Sequence, residues 1–432
     1  MTPQLSGAAS PANATYAKEV FARDTMKGLG YPQLHTRWVQ VFINGLYWGV
    51  YLLSEKAEED TLQTRFGAGN YYVWKDGAGE VVGDDVAYSP TVPKPSIVWS
   101  NLVQTTETLA GNSLQNPATY DSATYLSVSA QMNVDQFIHY ALLHAFLGNF
   151  DAMTNNGRCY KKLPGDPISW LCYDVEVGAD ANGLNRNCFS TWLSLPPRNG
   201  AAIPQGPLNT EARLLSNLMH HPPFRLQFAD RAWRLCLMPQ ELRENGSVDG
   251  YLTGDHDDEG ASGRFKAAAQ SFSPYQLLES LRWGTGYLGW RSAQPFTSTM
   301  DSVNYAAGSA SSGGFFQNRR AVFQSQLENL GLLPTVPMPS LVQGTNLNTW
   351  VLTAPAGADL TTYYNPGGGG ALDPNGEGLT KLGLSLASGT SVTLTAPYLL
   401  TARTFRDDAA NTSAEDTPYW SALLYVNLPT HP

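Results

Sequence analysis

Val134, Phe137, Ile138, Ala141, Leu142, Ala145 and Phe146 recur at helical spacing. The stripe predicts a helix with one face in a core, capped by Asn133 and closed by Gly148. His139 and His144 fall off the stripe and are expected on the polar face or its edge. The period then switches to two. Alternating residues on either side of a Pro-Gly-Asp-Pro turn predict a β-hairpin from Arg158 to Tyr173. Upstream, a helix is expected from Ala14 to Met26, then a β-run from Trp38 to Ile43. Asn44-Gly45 marks a tight turn, and Tyr47 to Leu53 returns as the partner strand, delivering Glu55. A short acidic helix, Glu58 to Arg65, and a strand ending in Lys75 follow. Residues 78–130 are weakly patterned and predict a loop plus a helix near Ser96 to Leu109. Further helices are expected over Thr210 to Met219, Phe224 to Leu237, Pro274 to Leu281 and Phe315 to Leu330, the last with Phe316, Phe323, Leu327 and Leu330 in a core. After Pro334 the texture becomes short strand patterns between turn clusters, which predicts a small antiparallel sandwich over 336–432.

Composition narrows the function classes. The chain has 432 residues, enough for two or three domains, and 42% of them are hydrophobic. Charged residues are only 15% and aromatic residues 11%, a balance that points to a loop-rich, exported type of protein. A formal net charge of −10 argues against nucleic acid as the main partner. No apolar run approaches the roughly 20 residues of a membrane helix. The opening residues lack the parts of a signal peptide, but Met1 can be an internal start, so this decides nothing about export.

The chemistry concentrates between Gly148 and Gly178. Asp151 follows the helix, Asn156 lies five positions on, and the hairpin would return Asp174 beside both. Two carboxylates and an amide at a hairpin mouth suit a hard divalent cation on a polyphosphate, with one carboxylate left to orient a hydroxyl. Protein kinases build such a set. Glu55 and Lys75, presented by the upstream strands, would supply the other half of a kinase site. The alternatives stay open at this level: Asn and Asp crowd into turns for backbone reasons, and Glu55 and Lys75 would serve as ordinary surface residues. Cys159 and Cys172 are expected to face each other across the hairpin, either as a disulfide or as two buried thiols. No CxxC pair points to zinc, and His220-His221 and the acidic loop at 254–260 lack the spacing of a metal site. The NPGGGG run is a connecting loop, with no Lys-Ser/Thr after its glycines.

Several of these segments together resemble the CotH kinase-like family. FINGLYWGVYLLSEKAEED is similar to its strand-turn-strand signature, and VDQFIHYALLHAFLGNFDAMTNNGRCY to its helix and Gly-Asn-x-Asp loop. WLCYDVEVGAD resembles its second Asp strand, and FRLQFADRAWRLC and ESLRWG resemble longer bacterial members. The likeness covers residues 14 to 334 and implies an α+β, atypical protein-kinase-like two-lobed fold. It implies a partial small lobe at 1–95, shortened at its N-terminus, a large helical lobe with the catalytic hairpin at 96–335, and an Ig/fibronectin-like or hexosaminidase-type sandwich at 336–432. It also implies ATP and Mg²⁺ as cofactors and an unidentified exported or surface protein as substrate. By the same likeness Asp151 is the catalytic residue, Asn156 and Asp174 hold metal, and Glu55 and Lys75 lie near the nucleotide. Ala152-Met153 stands where close relatives carry Trp-Pro, which bears on activity rather than fold. The rival expectation is a non-catalytic pseudokinase or surface binding module. A hydrolase using Asp151 and Asp174 is a third option, and nothing in the sequence specifies a sugar site for it.

Overall fold

The computed structural model describes residues 17–75, 80–82, 93–115, 121–175, 178–179, 183–193, 210–238, 250–252, 260–283, 314–346, 348–366, 384–396, 398–407, 420–421 and 423–428. It divides into two compact units. The first comprises Met1–Thr105, Ser127–Ser216 and Tyr251–Phe323; the second comprises Thr106–Leu126, Asn217–Gly250 and Gln324–Pro432. These units cut the chain differently from the boundaries expected at 95 and 335. The acidic loop at 254–259 and most of the glycine run lie outside the described residues. Among the described residues no helix is long and apolar enough to cross a membrane.

In the first unit, α1 (Lys18–Gly28) leads into a separate antiparallel pair, β1 (Thr36–Ile43) and β2 (Leu46–Ser54), turned by Asn44 and Gly45, both at positive φ. After α2 (Glu59–Phe66) a second sheet has the order β4-β3-β5-β6, from β3 (Tyr71–Lys75), β4 (Glu80–Val82), β5 (Arg158–Lys162) and β6 (Ser169–Trp170). This sheet joins strands that the sequence divides between a small and a large lobe. Lys75 pairs with Arg158, so the strand carrying the lysine ends beside the hairpin. One face covers a cluster of Leu34, Leu62, Tyr71, Val73, Tyr160 and Leu171. Each large apolar side chain fully buried in this way contributes about 1.5–3 kcal/mol.

The hairpin forms, but in another register. Cys159 faces Trp170 and Tyr160 faces Ser169, so Cys159 and Cys172 are not an opposed pair; all four cysteines are buried and free. Two anchors set this register. The amide of Leu163 is spent on Asn70 O (2.8 Å) of the adjoining segment, and Asp166 N closes the turn on Lys162 O (3.2 Å). Past β6 no long partner strand is needed. Gln136 exchanges two hydrogen bonds with the Trp170 backbone, and Gln33 bridges Trp170 O and Cys172 N.

The helix α5 (Val134–Leu147) exceeds its stripe. Asn133 caps it by accepting from Gln136 N at 3.0 Å, and only Asp135 and His139 keep partial exposure. His144, expected at the polar edge, is fully buried, because the helix is enclosed on nearly every side. Before it, α3 (Pro95–Gln115) and α4 (Ser122–Gln131) occupy the weakly patterned stretch. The Ser/Ala-rich α4 buries Tyr125 and Val128 along its length, too few positions to show a period.

After α6 (Cys188–Trp192) and α7 (Glu211–Leu218) comes α8 (Pro222–Ala232), continued as a π-helical turn over Trp233–Leu237. The predicted helix at Pro274 is part of the longer α9 (Ala261–Trp283), which carries that proline inside. The last helix is α10 (Phe315–Asn329); Leu330, expected in a core, lies past its end and is exposed.

The second unit holds two antiparallel sheets. One has the order β11-β8-β7, from β7 (Ser340–Gln343), β8 (Thr349–Thr353) and β11 (Ser391–Thr395). The other has the order β10-β9-β12-β13, from β9 (Leu360–Pro366), β10 (Leu384–Ala387), β12 (Tyr398–Arg406) and β13 (Leu424–Leu428). A single hydrophobic cluster draws Leu341, Trp350, Leu352 and Leu394 from the first sheet and Tyr364, Leu400 and Val426 from the second. Asp230 of α8 meets Arg403 of β12 through both carboxylate oxygens, one at 3.1 Å, and also accepts from Leu423 N at 2.8 Å; both side chains are almost wholly buried. The tail is therefore fastened to a helix more than 100 residues earlier. Arg403→Ala leaves Asp230 as a buried, half-satisfied charge and is expected to cost about 3–5 kcal/mol in urea denaturation. Replacing both residues with apolar ones of similar size should recover most of that loss; a double variant as weak as the single one would show that the pair is not the cause.

Candidate active site

The site loop is shaped by its own backbone. The carbonyl of Asp151 accepts from the amides of Thr154 (3.1 Å), Asn155 (2.8 Å) and Asn156 (3.0 Å). This tight turn brings Asn156 back over Asp151, where its Nδ2 donates to Asp151 Oδ2 at 3.3 Å. Asp151 Oδ1 is buried and meets no hydrogen-bond donor among the described residues.

Asp174 stands in the left-handed region at φ 54, a conformation costly for a residue with a Cβ. Its carbonyl receives Asn149 Nδ2 at 3.5 Å, and the same amide nitrogen donates to His144 Nδ1 at 3.1 Å. Burial pushes His144 down to about 3, so it stays neutral and accepts at Nδ1. Asp151 is pushed above the usual carboxylate range. Burial is the main cause and the charge of Asp174 adds to it, while Asp151's own backbone amide and Arg186 act the other way. Asn156 thus lies on the Asp151 carboxylate, and Asp174 stands near enough for its charge to act on it. Lys75 ends β3 opposite Arg158, two residues from Asn156. Glu55 lies beyond the other sheet; its carboxylate accepts from Arg65 Nε (2.6 Å) and His35 N (2.8 Å), holding the junction of β2 and α2.

Three residues enter the site without a signal in the sequence. Glu211, fully buried at the start of α7, packs against the loop so closely that a Cβ on Gly157 would lie 2.3 Å from its carboxylate. The next residue, Ala212, donates its amide to Met153 O at 3.0 Å. Arg186 donates to Gly148 O at 2.9 Å and lies over the Phe150 ring. Arg319 of α10, fully buried, donates to the carbonyls of Ala145, Phe146, Leu184 and Arg186 at 2.6–2.9 Å.

A loop hung from a buried helix and facing a hairpin that returns a second carboxylate defines an α+β protein with a two-carboxylate site. A family model described as CotH kinase protein matches residues 9–241, more than half of the chain, and the chain belongs to that family. The matched span includes all five expected site residues, Arg186 and Glu211; Arg319 lies beyond it. The family carries a kinase-like fold and a protein-kinase-like function, with a protein as substrate. No curated protein matches the chain.

Two outcomes follow from this geometry. Gly157→Ala drives a methyl group into the Glu211 carboxylate and is expected to destabilise the fold by about 1–3 kcal/mol in chemical denaturation. Asp151 binds its proton more tightly in the folded than in the unfolded chain. Its ionised form therefore weakens the fold above the folded value, and the effect disappears as pH falls to the unfolded value near 3.8. Asp151→Asn should accordingly raise the melting temperature at pH 7, with a gain that shrinks as pH is lowered toward 3.8.

Proposed function

We propose that the chain is an ATP- and Mg²⁺-dependent protein kinase of the CotH sort, acting on Ser or Thr hydroxyls of exported or surface proteins. The observation that carries this reading is the loop closed on Asp151 O, with Asn156 on one carboxylate oxygen and a second carboxylate, Asp174, acting on it electrostatically. Such a set fits a divalent cation. Two mutually repelling carboxylates and an amide are hard oxygen donors, and Asp151 Oδ1 is buried without a donor among the described residues. Asn156 and Asp174 would hold the metal, which supplies charge neutralisation on the phosphates when bound. Lys75, at the end of β3, would touch phosphate. Asp151, with its raised proton affinity, would orient the acceptor hydroxyl and take its proton. Glu55, bound to Arg65, would support the strands near the nucleotide rather than contact it. In this reading the two sheets of the second unit form a β-sandwich of the fibronectin or hexosaminidase type. Export rests on the sparse charge and rich aromatic content.

The test separates two variants of nearly unchanged size. Asp174→Asn is expected to abolish magnesium-dependent ATP binding in calorimetry. Asp151→Asn is expected to keep that binding and to lower phosphoryl transfer by about 10²–10⁴-fold. If both bind Mg-ATP like the parent, and the parent phosphorylates neither itself nor any protein offered, the chain is a pseudokinase binding module.

A further inference from the structure

Arg186 has no role in the set described so far, yet its placement is that of a prepared anion site. Its backbone is fixed: its amide donates to Gly183 O at 3.1 Å and its carbonyl accepts from Arg319 Nη2 at 2.9 Å. Its side chain is fixed as well. One guanidinium nitrogen donates to Gly148 O at 2.9 Å, and the plane stands 4.9 Å from the centre of the Phe150 ring. Phe150 immediately precedes Asp151 and is 41% exposed, so the stack lies on the open side of the loop. Arg186 itself is half-buried, and among the described residues it forms no ion pair with any carboxylate. A guanidinium offers five N–H donors in a rigid fork. The contact with Gly148 uses one nitrogen, and the other donors have no partner among the described residues.

We propose that Arg186 receives the terminal phosphate oxygens of the nucleotide beside Asp151. The inference rests on the kinase reading given above. If Asp151 orients the acceptor hydroxyl, the phosphorus it faces is the terminal one, because that is the atom the hydroxyl attacks. A cation stacked on Phe150, the residue next to Asp151, then meets the terminal phosphate and not the inner two. Arg186 forms no covalent bond in this role; it donates hydrogen bonds to oxygens whose charge must be held still. Pre-ordering by Arg319, Gly148 and Phe150 lowers the entropy cost of that contact.

The test is calorimetry of Mg-ATP and Mg-ADP binding to the full chain, the parent beside Arg186→Gln and Arg186→Lys. Arg186→Gln is expected to weaken Mg-ATP binding about ten- to a hundredfold and to leave Mg-ADP binding within about twofold. Arg186→Lys should restore only part of the loss, since an ammonium lacks the planar fork. Either variant weakens or loses the bond to Gly148 O and is expected to melt somewhat earlier than the parent, so the variants are compared through their ATP-to-ADP affinity ratio, which a general loosening does not change. A parent that binds both nucleotides, with Arg186→Gln keeping the same ratio, overturns the role of Arg186 alone. A parent that binds neither nucleotide overturns the kinase reading, and this inference with it.

Discussion

The carbonyl end of α5 is the constraint on which the first unit depends. The last carbonyls of any helix lack partners within it, and inside a protein they must find donors. Here the helix is enclosed, so water is not the partner. His144 O takes Asn149 N, Ala145 O takes Gly148 N and Arg319, Phe146 O takes Arg319, Leu147 O takes Ala179 N, and Gly148 O takes Arg186. The donors come from the site loop, from the chain after Asp174, from the loop before α6 and from α10. Satisfying one helix end thus assembles the segments around the two carboxylates. The two guanidinium groups also place positive charge at the negative end of the helix dipole.

Close approach is what makes this closure work. Gly148 turns at φ 74 with Gly183 O beside it, and a Cβ on Gly178 would meet Leu147 O at 2.2 Å. The backbones can therefore meet without a side chain between them, and the amide of Ala179 reaches Leu147 O at 2.7 Å. Asp174, five residues before Ala179, inherits its place from that contact and from Asn149. Its strained φ persists because these neighbours over-determine it. The electrostatic consequence is a site in which burial and a like charge work together on Asp151, so that the carboxylate is a better base than a free one.

Much of this was legible in the chain. Hydrophobic period gave α5, its Asn133 cap and its Gly148 stop, and the alternating runs gave the hairpin that returns Asp174 toward Asp151. These features are local, set by residues a few positions apart, which is why pattern alone reaches them. The resemblance of the same segments to the CotH family agrees with the match over residues 9–241. The register of the hairpin was not legible. It turned on where the amide of Leu163 finds its acceptor, and that acceptor is Asn70, some 90 residues away. The full burial of His144 was hidden for a similar reason, since a stripe reports one face of a helix and says nothing of what packs on the others.

The sequence by itself determined most of the stretches that are helix or strand, because propensity, caps and turns act over a few residues. Only the tertiary structure decided their surroundings. It set Glu211 under Gly157, gave Glu55 to Arg65, brought Lys75 beside the hairpin, and bound Asp230 to Arg403 across more than 150 residues of chain. Buried charges and backbone ends must find partners wherever packing supplies them. Those partners are chosen by proximity in space, which no local pattern along the chain encodes.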